Sequence, residues 1–314
     1  MRLKTFPGGV HPHDEKHYSA AAPITIFSNP TKVVIHMSQH IGSPSKPIVN
    51  VGDEVVRGQK IAEATGFVSI PQHASISGKI SKIGKFLHPT GIMSNAIEIT
   101  GDGNNKSVEF PETESFEDLS ITDMKERISN AGICGMGGAG FPTHVKLSPP
   151  DDKPIDVVVL NGVECEPYLT SDYRLMMEKA ADVINGLKLI MKIVKAKRGI
   201  IGIEANKPDA IVLMEKLCGR ERNLEVVALK MQYPQGAEKQ LIFAATGRKV
   251  PAGGLPMSIG VVVQNVGTAV AIYEAIRYQK PLIDRIITIT GYPVNKPANI
   301  LAPKIGRASC RERV

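Results

Sequence analysis

Residues 132–147, GICGMGGAGFPTHVKL, have the composition of a ligand-binding loop, because five glycines fall within nine residues and a lysine follows them. Glycine lets backbone N–H groups approach a flat or anionic ligand closely. So many glycines also carry an entropy cost that a plain connection would not require. The stretch therefore predicts a ligand loop with Lys146 as a phosphate partner, and a merely structural turn is the alternative.

The glycine spacing also matches the dinucleotide pattern G-x-G-x-x-G at Gly135, Gly137 and Gly140. That fingerprint must follow a strand and open a helix, since the helix N-terminus binds the pyrophosphate. Here a polar helical segment, TDMKERISNAG, precedes the glycines, and FPTHVKLSPPDDKP follows them without helical periodicity. Phe141 stands where a Walker A loop has its lysine. Neither nucleotide motif is predicted.

Further polar residues follow predicted strands. Ligands of open α/β sheets lie outside the carboxyl ends of the strands, so these residues predict one common site. Carboxylates there can accept hydrogen bonds from ribose hydroxyls or a nicotinamide amide, and a solvated acidic loop is the alternative. The residues concerned are Asn161, Glu164 and Glu166, then Tyr233, Gly236 and Glu238, and finally Gln264 and Asn265.

Alternating strands and helices are predicted to position these loops. The apolar segments IDVVVLN, GIIGIEA, LEVVALK and GVVVQN predict buried strands, and SDYRLMMEKAADVINGLKLIMKIVKA predicts one long amphipathic helix. The helix over TDMKERISNAG has Thr122 as its predicted N-cap and Gly132 as its stop signal. This alternation is typical of an α/β domain with a mostly parallel, Rossmann-like sheet.

Residues from about 30 to 100 predict an all-β module of short strands and turns. The segment VNVGDEVVRGQKIAEATGFVSIPQHASISGKISKI resembles biotinyl/lipoyl carrier domains in its rhythm. Such carriers present a modifiable lysine at a hairpin tip, whereas the equivalent TGFVSIPQHA has none. A barrel-sandwich scaffold is therefore predicted, and the fold class is α/β plus β.

Composition excludes several function classes. The 314 residues are 42% hydrophobic and 22% charged, and no apolar run approaches the roughly 18 residues of a membrane span. The net charge of +7 is spread without a basic block, which argues against a nucleic-acid partner. Of the four cysteines, Cys310 lies in the last ten residues, and the other three (Cys134, Cys165, Cys218) lack C-x-x-C spacing and predict no metal site. The segment HPHDEKH predicts a polar arm rather than a metal chelate.

Four motifs occur in order: GxxGxGGAGFPTxxK, NxxExEP, YxxGxE and xNVxT. Together they resemble the NADH- and FMN-binding subunit of respiratory complex I and its relatives. The N-terminal FPGGVHPHDEKHYSAAAPI and the β module are more similar to the C subunit of the Rnf complex, the ion-translocating ferredoxin:NAD+ oxidoreductase. Complex I subunits have arginines at Cys134 and Met136 and acidic residues at Val163 and Ala237, and these departures suit the Rnf branch.

The resemblance covers residues 1–304 and implies FMN and NAD(H) as cofactors. It implies hydride transfer between the nicotinamide and FMN N5, with no side chain acting as acid or base. The residues implied to bind the cofactors are Gly135, Gly137, Gly138, Gly140, Lys146, Asn161, Glu164, Glu166, Tyr233, Gly236, Glu238 and Asn265.

The resemblance further implies two [4Fe-4S] clusters, held by C-x-x-C-x-x-C-x-x-x-C-P runs that this sequence lacks. They are expected in a missing C-terminal part, because residues 305–314, IGRASCRERV, look like a translated sequencing adaptor. Expected partners are NADH and the other subunits of a membrane-bound Rnf-type complex, with the chain peripheral at the cytoplasmic face. The alternative is a quinone-handling scaffold similar to the A subunit of the sodium-pumping NADH:quinone reductase.

These considerations predict four segments. An N-terminal arm and barrel-sandwich domain occupies residues 1–115, and an α/β FMN/NADH-binding domain occupies residues 116–280. Residues 281–304 are expected to begin a β-grasp module of the SLBB-like type, and residues 305–314 are excluded as an artefact.

Overall fold

The computed structural model describes residues 3–27, 30–219 and 221–304. The suspected adaptor tail, residues 305–314, lies outside them. The strands and α-helices of the described residues are, in chain order, β1 (Ile24–Ile26), β2 (Lys32–His36), β3 (Lys46–Pro47), β4 (Glu54–Val55), β5 (Lys60–Glu63), β6 (Gln72–His73), β7 (Gly78–Leu87), β8 (Met93–Gly101), α1 (Ile121–Asn130), α2 (Thr143–Lys146), β9 (Val157–Gly162), α3 (Ser171–Glu178), α4 (Ala180–Val194), β10 (Arg198–Glu204), α5 (Pro208–Cys218), β11 (Leu224–Leu229), α6 (Glu238–Thr246), β12 (Val261–Asn265), α7 (Val266–Tyr278), β13 (Asp284–Ile289) and β14 (Ala298–Pro303).

The chain divides into two compact units, each built from three segments. The sheet unit comprises Met1–Thr25, Leu147–Tyr273 and Ile286–Ile300, described from Leu3. The barrel unit comprises Ile26–Lys146, Glu274–Arg285 and Leu301–Val314, described to Lys304. Residues 132–146 of the glycine stretch thus belong to the barrel unit. The linear boundaries at residues 115 and 280 stay a prediction.

Two antiparallel sheets form the β module of the barrel unit, one in the order β2-β8-β7-β4 and one in the order β3-β5-β6. Alternate residues of the long strands point inward, as the period of two requires. The resulting core contains Ile35, Ile61, Ile80, Ile97 and Ile99, each at most 1% exposed. This arrangement agrees with the predicted all-β module.

The sheet unit contains a four-stranded sheet in the order β11-β10-β9-β12, with all three pairings parallel. Its strands are buried along most of their length, as expected for a parallel sheet covered on both faces. The predicted α/β domain with a parallel sheet is confirmed. Strands β1, β14 and β13 form a further three-stranded sheet in that order.

The first helix differs from the prediction at its N-terminus. Ser120, not Thr122, is the N-cap, and its hydroxyl accepts a hydrogen bond from the Asp123 amide at 3.1 Å. The helix ends at Asn130, and the predicted stop signal, Gly132, follows with a φ of +64°. A Cβ there would lie 2.5 Å from the Pro71 carbonyl oxygen, so the position requires glycine.

Three other helical predictions were wrong. The long helix is two helices, α3 and α4, because Lys179 between them has non-helical angles, φ −127° and ψ 36°. Glu238 is not a loop residue but the first residue of α6. The segment after Phe141, expected to be irregular, contains the one-turn helix α2. No helix of the described residues is long and apolar enough to cross a membrane.

Candidate functional site

The carboxyl edge of the parallel sheet has a topological switch point between β9 and β12. From β9 the chain continues outward to β10 and β11, and then returns to add β12 on the opposite side of β9. Asn161 of β9 and Asn265 of β12 are register partners at this point. Crevices at such switch points are the usual ligand sites of open α/β sheets.

Both asparagine side chains hold neighbouring loops. The side-chain amide of Asn161 donates through Nδ2 to the Gly236 carbonyl at 2.8 Å, and its Oδ1 accepts from the backbone N–H of Val163 at 3.1 Å. The side-chain amide of Asn265 donates through Nδ2 to the Asp172 carboxylate at 2.6 Å, and its Oδ1 accepts from the backbone N–H of Gly267 at 2.8 Å. These two residues therefore shape the site by fixing the backbone around it.

Glu164 lies inside the protein rather than in a solvated loop. Its side chain is 3% exposed, and its φ of +51° is in the left-handed region. One carboxylate oxygen accepts from the Asp172 amide at 2.7 Å. Burial raises the pKa of Glu164 to about 7, although the cations Lys16 and Lys207 act in the opposite direction. A proton can therefore be gained or lost here near neutral pH.

Two buried lysines balance two buried glutamates beside this loop. Lys207, whose side chain is 2% exposed, donates to the Val163 carbonyl at 2.8 Å and lies 3.7 Å from the Glu204 carboxylate. Burial lowers the pKa of Lys207 and raises that of Glu204. The fourth member, Lys16, lies 4.0 Å from Glu164. Sequence analysis missed Lys16, Lys207 and Asp172, because no local motif marks them.

The other predicted residues of this edge have varied positions. Glu166 is partly buried, and its carbonyl accepts from the Lys16 ammonium at 2.9 Å. Gly236 packs against Asn161 and Cys165, and its amide donates to the Cys165 sulfur at 3.2 Å. Burial raises the pKa of that thiol to about 11, so it stays protonated. Tyr233 pairs through its backbone with Val10, and Glu238 begins α6.

The glycine loop of the barrel unit is a closed turn. The Gly135 amide donates to the Phe141 carbonyl at 2.8 Å, and the backbones of Cys134 and Pro142 form an isolated antiparallel β-bridge. Gly137 and Gly140 have φ of +76° and +69°, which favours glycine. Nothing lies within 4 Å of the position that a Gly138 Cβ would take. Lys146 ends the one-turn helix after the loop.

Each unit separately offers groups that suit a polar ligand such as a flavin nucleotide, the cofactor expected from the resemblance. Glu164 Oε2 and Gln264 Nε2 are buried at the sheet edge and have no hydrogen-bond partner among the described residues. They supply one unmatched acceptor and one unmatched donor, and buried polar groups normally have partners. The open face at Gly138 leaves room for a ligand against the loop backbone. No group of three or more metal-ligating side chains occurs within the described part of the chain.

Comparisons with known proteins divide the chain in the same way as the motifs. Residues 4–104 match the family model described as the RnfC barrel sandwich hybrid domain. Residues 128–274 match the Nuo51 FMN-binding domain. The NAD+-reducing [NiFe]-hydrogenase in its H2-reduced state is a structural neighbour, with a TM-score of 0.50 and 22% identity over 62% of this chain and 39% of that chain. That likeness shows the fold alone.

The relatives that cover nearly the whole chain include three proteins that are each the C subunit of their complex. That of the proton-translocating ferredoxin:NAD(+) oxidoreductase complex of Clostridium ljungdahlii is 51% identical over 95% of this chain and 65% of the relative. The Na(+)-translocating counterpart of Acetobacterium woodii is 49% identical over 94% of this chain and 67% of the relative. The C subunit of the ion-translocating oxidoreductase complex of Vibrio cholerae is 40% identical over 96% of this chain and 39% of the relative.

These matches define the class first: a barrel-sandwich hybrid domain joined in one chain to a domain of the Nuo51 FMN-binding type. Within that class the chain belongs to the family of C subunits of ion-translocating ferredoxin:NAD+ oxidoreductase complexes. The family predicted from the four motifs together with the N-terminal segment and the β module is thus confirmed. The chain spans 65% of the length of the Clostridium relative and 39% of the Vibrio relative.

Proposed function

We propose that this chain is the NADH- and FMN-binding redox subunit of a membrane-bound, ion-translocating ferredoxin:NAD+ oxidoreductase. The observation that carries the proposal is its similarity, along almost its entire length, to C subunits named for that activity. The match to the Nuo51 FMN-binding domain over residues 128–274 supports FMN as the resident cofactor. NAD(H) is then the soluble substrate.

Two groups of residues would hold FMN and the nucleotide. Loop glycines offer backbone N–H groups and an open face, and Lys146 offers a cation for the phosphate. At the sheet edge, Glu164, Glu166 and Tyr233 would supply polar contacts, with Glu238 at the start of α6. Asn161, Gly236 and Asn265 would act by fixing the backbone, as their hydrogen bonds indicate.

Bound FMN would supply the conversion between two-electron hydride transfer with the nicotinamide and one-electron transfer onward, which is chemistry of the cofactor. The protein's task is to orient the two rings and exclude water. The described side chains suit that task, since the polar groups of the sheet edge are tied to one another and largely buried. No side chain need donate or accept a proton in the transfer itself.

We further propose the wider setting. Other subunits of an Rnf-type complex would be the partners, at the cytoplasmic face of the membrane where NADH is available. Two [4Fe-4S] clusters would accept the electrons. These clusters would be held in a part of the protein that this sequence does not contain. Strands β13 and β14 would belong to a β-grasp module of the SLBB-like type.

Reconstitution with FMN tests the proposal. We expect the purified chain to bind FMN, with quenched flavin fluorescence, and the bound flavin to bleach on anaerobic addition of NADH. NADPH serves as the nucleotide control. A well-folded sample that binds no FMN would contradict the proposal and favour a scaffold or quinone-handling subunit.

A further inference from the structure

The N-terminal arm, residues 3–23, is built into the sheet unit. Lys4 pairs in parallel with Leu229 at the end of β11, and its amide donates to the Ala228 carbonyl at 3.0 Å. Val10 pairs antiparallel with Tyr233 through two hydrogen bonds of 2.8 Å. The arm therefore follows the carboxyl edge of the sheet, where the predicted cofactor residues lie.

Beyond Val10 the arm contacts the acidic loop, residues 163–170, which joins β9 to α3. The Asp14 carbonyl accepts from the Tyr168 amide at 2.8 Å. Tyr18 stacks on Tyr168 with ring centroids 6.1 Å apart. Ser19 and Thr170 join their hydroxyls at 2.7 Å. Each contact ties one point of the loop to the arm.

Lys16 makes the central contact. Its ammonium donates to the carbonyl oxygens of Glu166 at 2.9 Å and Leu169 at 2.6 Å, and it lies 4.0 Å from the Glu164 carboxylate. The Lys16 side chain is only 7% exposed. A buried ammonium is costly unless it is paired and hydrogen-bonded, so this lysine is committed to the loop.

The acidic loop needs such support. Glu164 and Tyr168 have φ of +51° and +71°, and each such residue costs on the order of 1–2 kcal/mol unless its surroundings impose it. Their conformation directs the Glu164 carboxylate inward to the Asp172 amide. Without Lys16, two carbonyls and one buried carboxylate would lose a cation at once.

We infer that Lys16 is a positioning residue of the cofactor site, which holds the acidic loop and its two glutamates in the conformation that accepts the flavin nucleotide. The N-terminal arm is then a working part of the site. The inference rests on the proposed function for the identity of the ligand, but not for the state of the loop.

Lys16→Met tests the inference, because it keeps the apolar stem and removes the cation. Lys216→Met, at an exposed position of α5, is the matched control. In the FMN-free chain we expect hydrogen exchange at the Tyr168 and Asp172 amides to accelerate at least tenfold in Lys16→Met and to stay unchanged in the control. We also expect the Kd for FMN to rise at least tenfold.

A pH profile separates positioning from a general loss of structure. The charged groups facing Glu164 are Lys16, Lys207 and Asp172, and loss of Lys16 removes one that favours the ionised carboxylate. The pH at which FMN affinity changes should therefore move upward in Lys16→Met. If that variant does not fold, Lys16→Gln, which keeps a donor but no charge, replaces it in every measurement.

The outcomes are distinct. Faster loop exchange together with weaker FMN binding and a shifted profile supports the inference. Unchanged loop exchange overturns it, and so does a loosened loop with unchanged FMN affinity or an unshifted profile. Failure of the unaltered chain to bind FMN would contradict the proposed function, while the exchange measurement would still decide whether Lys16 holds the loop.

Discussion

Gly138 has open space where a Cβ would lie, and the loop closes through the hydrogen bond from the Gly135 amide to the Phe141 carbonyl. A larger side chain there meets no protein atom within 4 Å at its Cβ. We expect Gly138→Val to change the free energy of unfolding by no more than about 0.5 kcal/mol, as for an exposed substitution. The same variant should weaken FMN binding at least tenfold, measured by fluorescence titration.

Gly84→Val provides the matched control, since a Cβ at Gly84 meets only the flexible end of Lys82, at 3.8 Å. It should retain the FMN affinity of the unaltered chain. Equal FMN affinity in Gly138→Val and the unaltered chain would show that the open face does not contact the ligand.

His73, in the barrel unit, couples stability to pH. Burial lowers its pKa to about 3, with Lys304 and Lys60 adding to the effect. The unfolded state, with a pKa near 6.5, binds more protons between these values, so stability is complete above pH 6.5 and falls as the pH decreases. The loss amounts to at most about 2 kcal/mol between pH 6.5 and 5.

We therefore expect His73→Gln to flatten the dependence of unfolding free energy on pH in that range, as measured by urea titrations at several pH values. His13→Gln, at an exposed position, should leave the slope unchanged. An identical slope in the unaltered chain and in His73→Gln would contradict the assignment to this histidine.

At the scale of elements, helix α4 lies against α7 at a glycine. A Cβ on Gly186 would lie 2.2 Å from the Ala269 carbonyl oxygen and 2.5 Å from its carbonyl carbon, both rigid backbone atoms. Alanine at Gly186 would improve helix propensity by about 1 kcal/mol, but overpacking costs about 1–3 kcal/mol and the backbone cannot yield easily. The clash therefore outweighs the propensity gain.

We expect Gly186→Ala to lower the free energy of unfolding by about 1 kcal/mol, measured by chemical denaturation, because the overpacking cost exceeds the propensity gain by about that amount. Gly66→Ala, where the added methyl meets only the Ser43 hydroxyl at 3.9 Å, is the control and should be nearly neutral. Stabilisation by Gly186→Ala would mean that the two helices can separate at small cost.

Helices and strands with a strong hydrophobic periodicity were predictable from the sequence. Breaks within a helical segment were not predictable where no proline or glycine marks them. Alternation and apolar runs indicated the β module and the four parallel strands, because those patterns report burial directly. The break at Lys179 has no proline or glycine to signal it. Helix α6 was not predicted, because the polar segment YPQGAE leads directly into it and the helix is short, although Leu241 and Ile242 within it are fully buried.

The site was predictable where residues follow strand ends and hidden where it depends on distant segments. Asn161 and Asn265 follow from the topology rule, since both end neighbouring strands. Lys16 precedes Glu164 by well over a hundred residues, and only the folded arm brings its ammonium to the acidic loop. From the sequence alone the arm could be predicted only as a polar extension without a functional role.

For the whole molecule, ligand binding should appear as a shift of the unfolding equilibrium. A ligand that binds only the folded state stabilises it by about 2.7 kcal/mol at one hundred times its Kd. For a chain of 314 residues this corresponds to roughly 4 °C in Tm, since the unfolding entropy is about 2.1 cal/mol/K per residue. We expect FMN to raise Tm in this saturable way, as measured by differential scanning calorimetry. A Tm that does not respond to FMN would contradict binding to the folded chain.

Riboflavin, which has the same ring and ribityl chain without the phosphate, separates the contributions. If the loop backbone and Lys146 bind the phosphate, riboflavin should give a clearly smaller shift at equal concentration, because charge-assisted hydrogen bonds to phosphate are among the stronger ones. Lys146→Met should narrow the difference between the two ligands, whereas Lys153→Met, at an exposed position, should preserve it. Equal Tm shifts with FMN and riboflavin would mean that the protein does not bind the phosphate and that Lys146 is not part of the site.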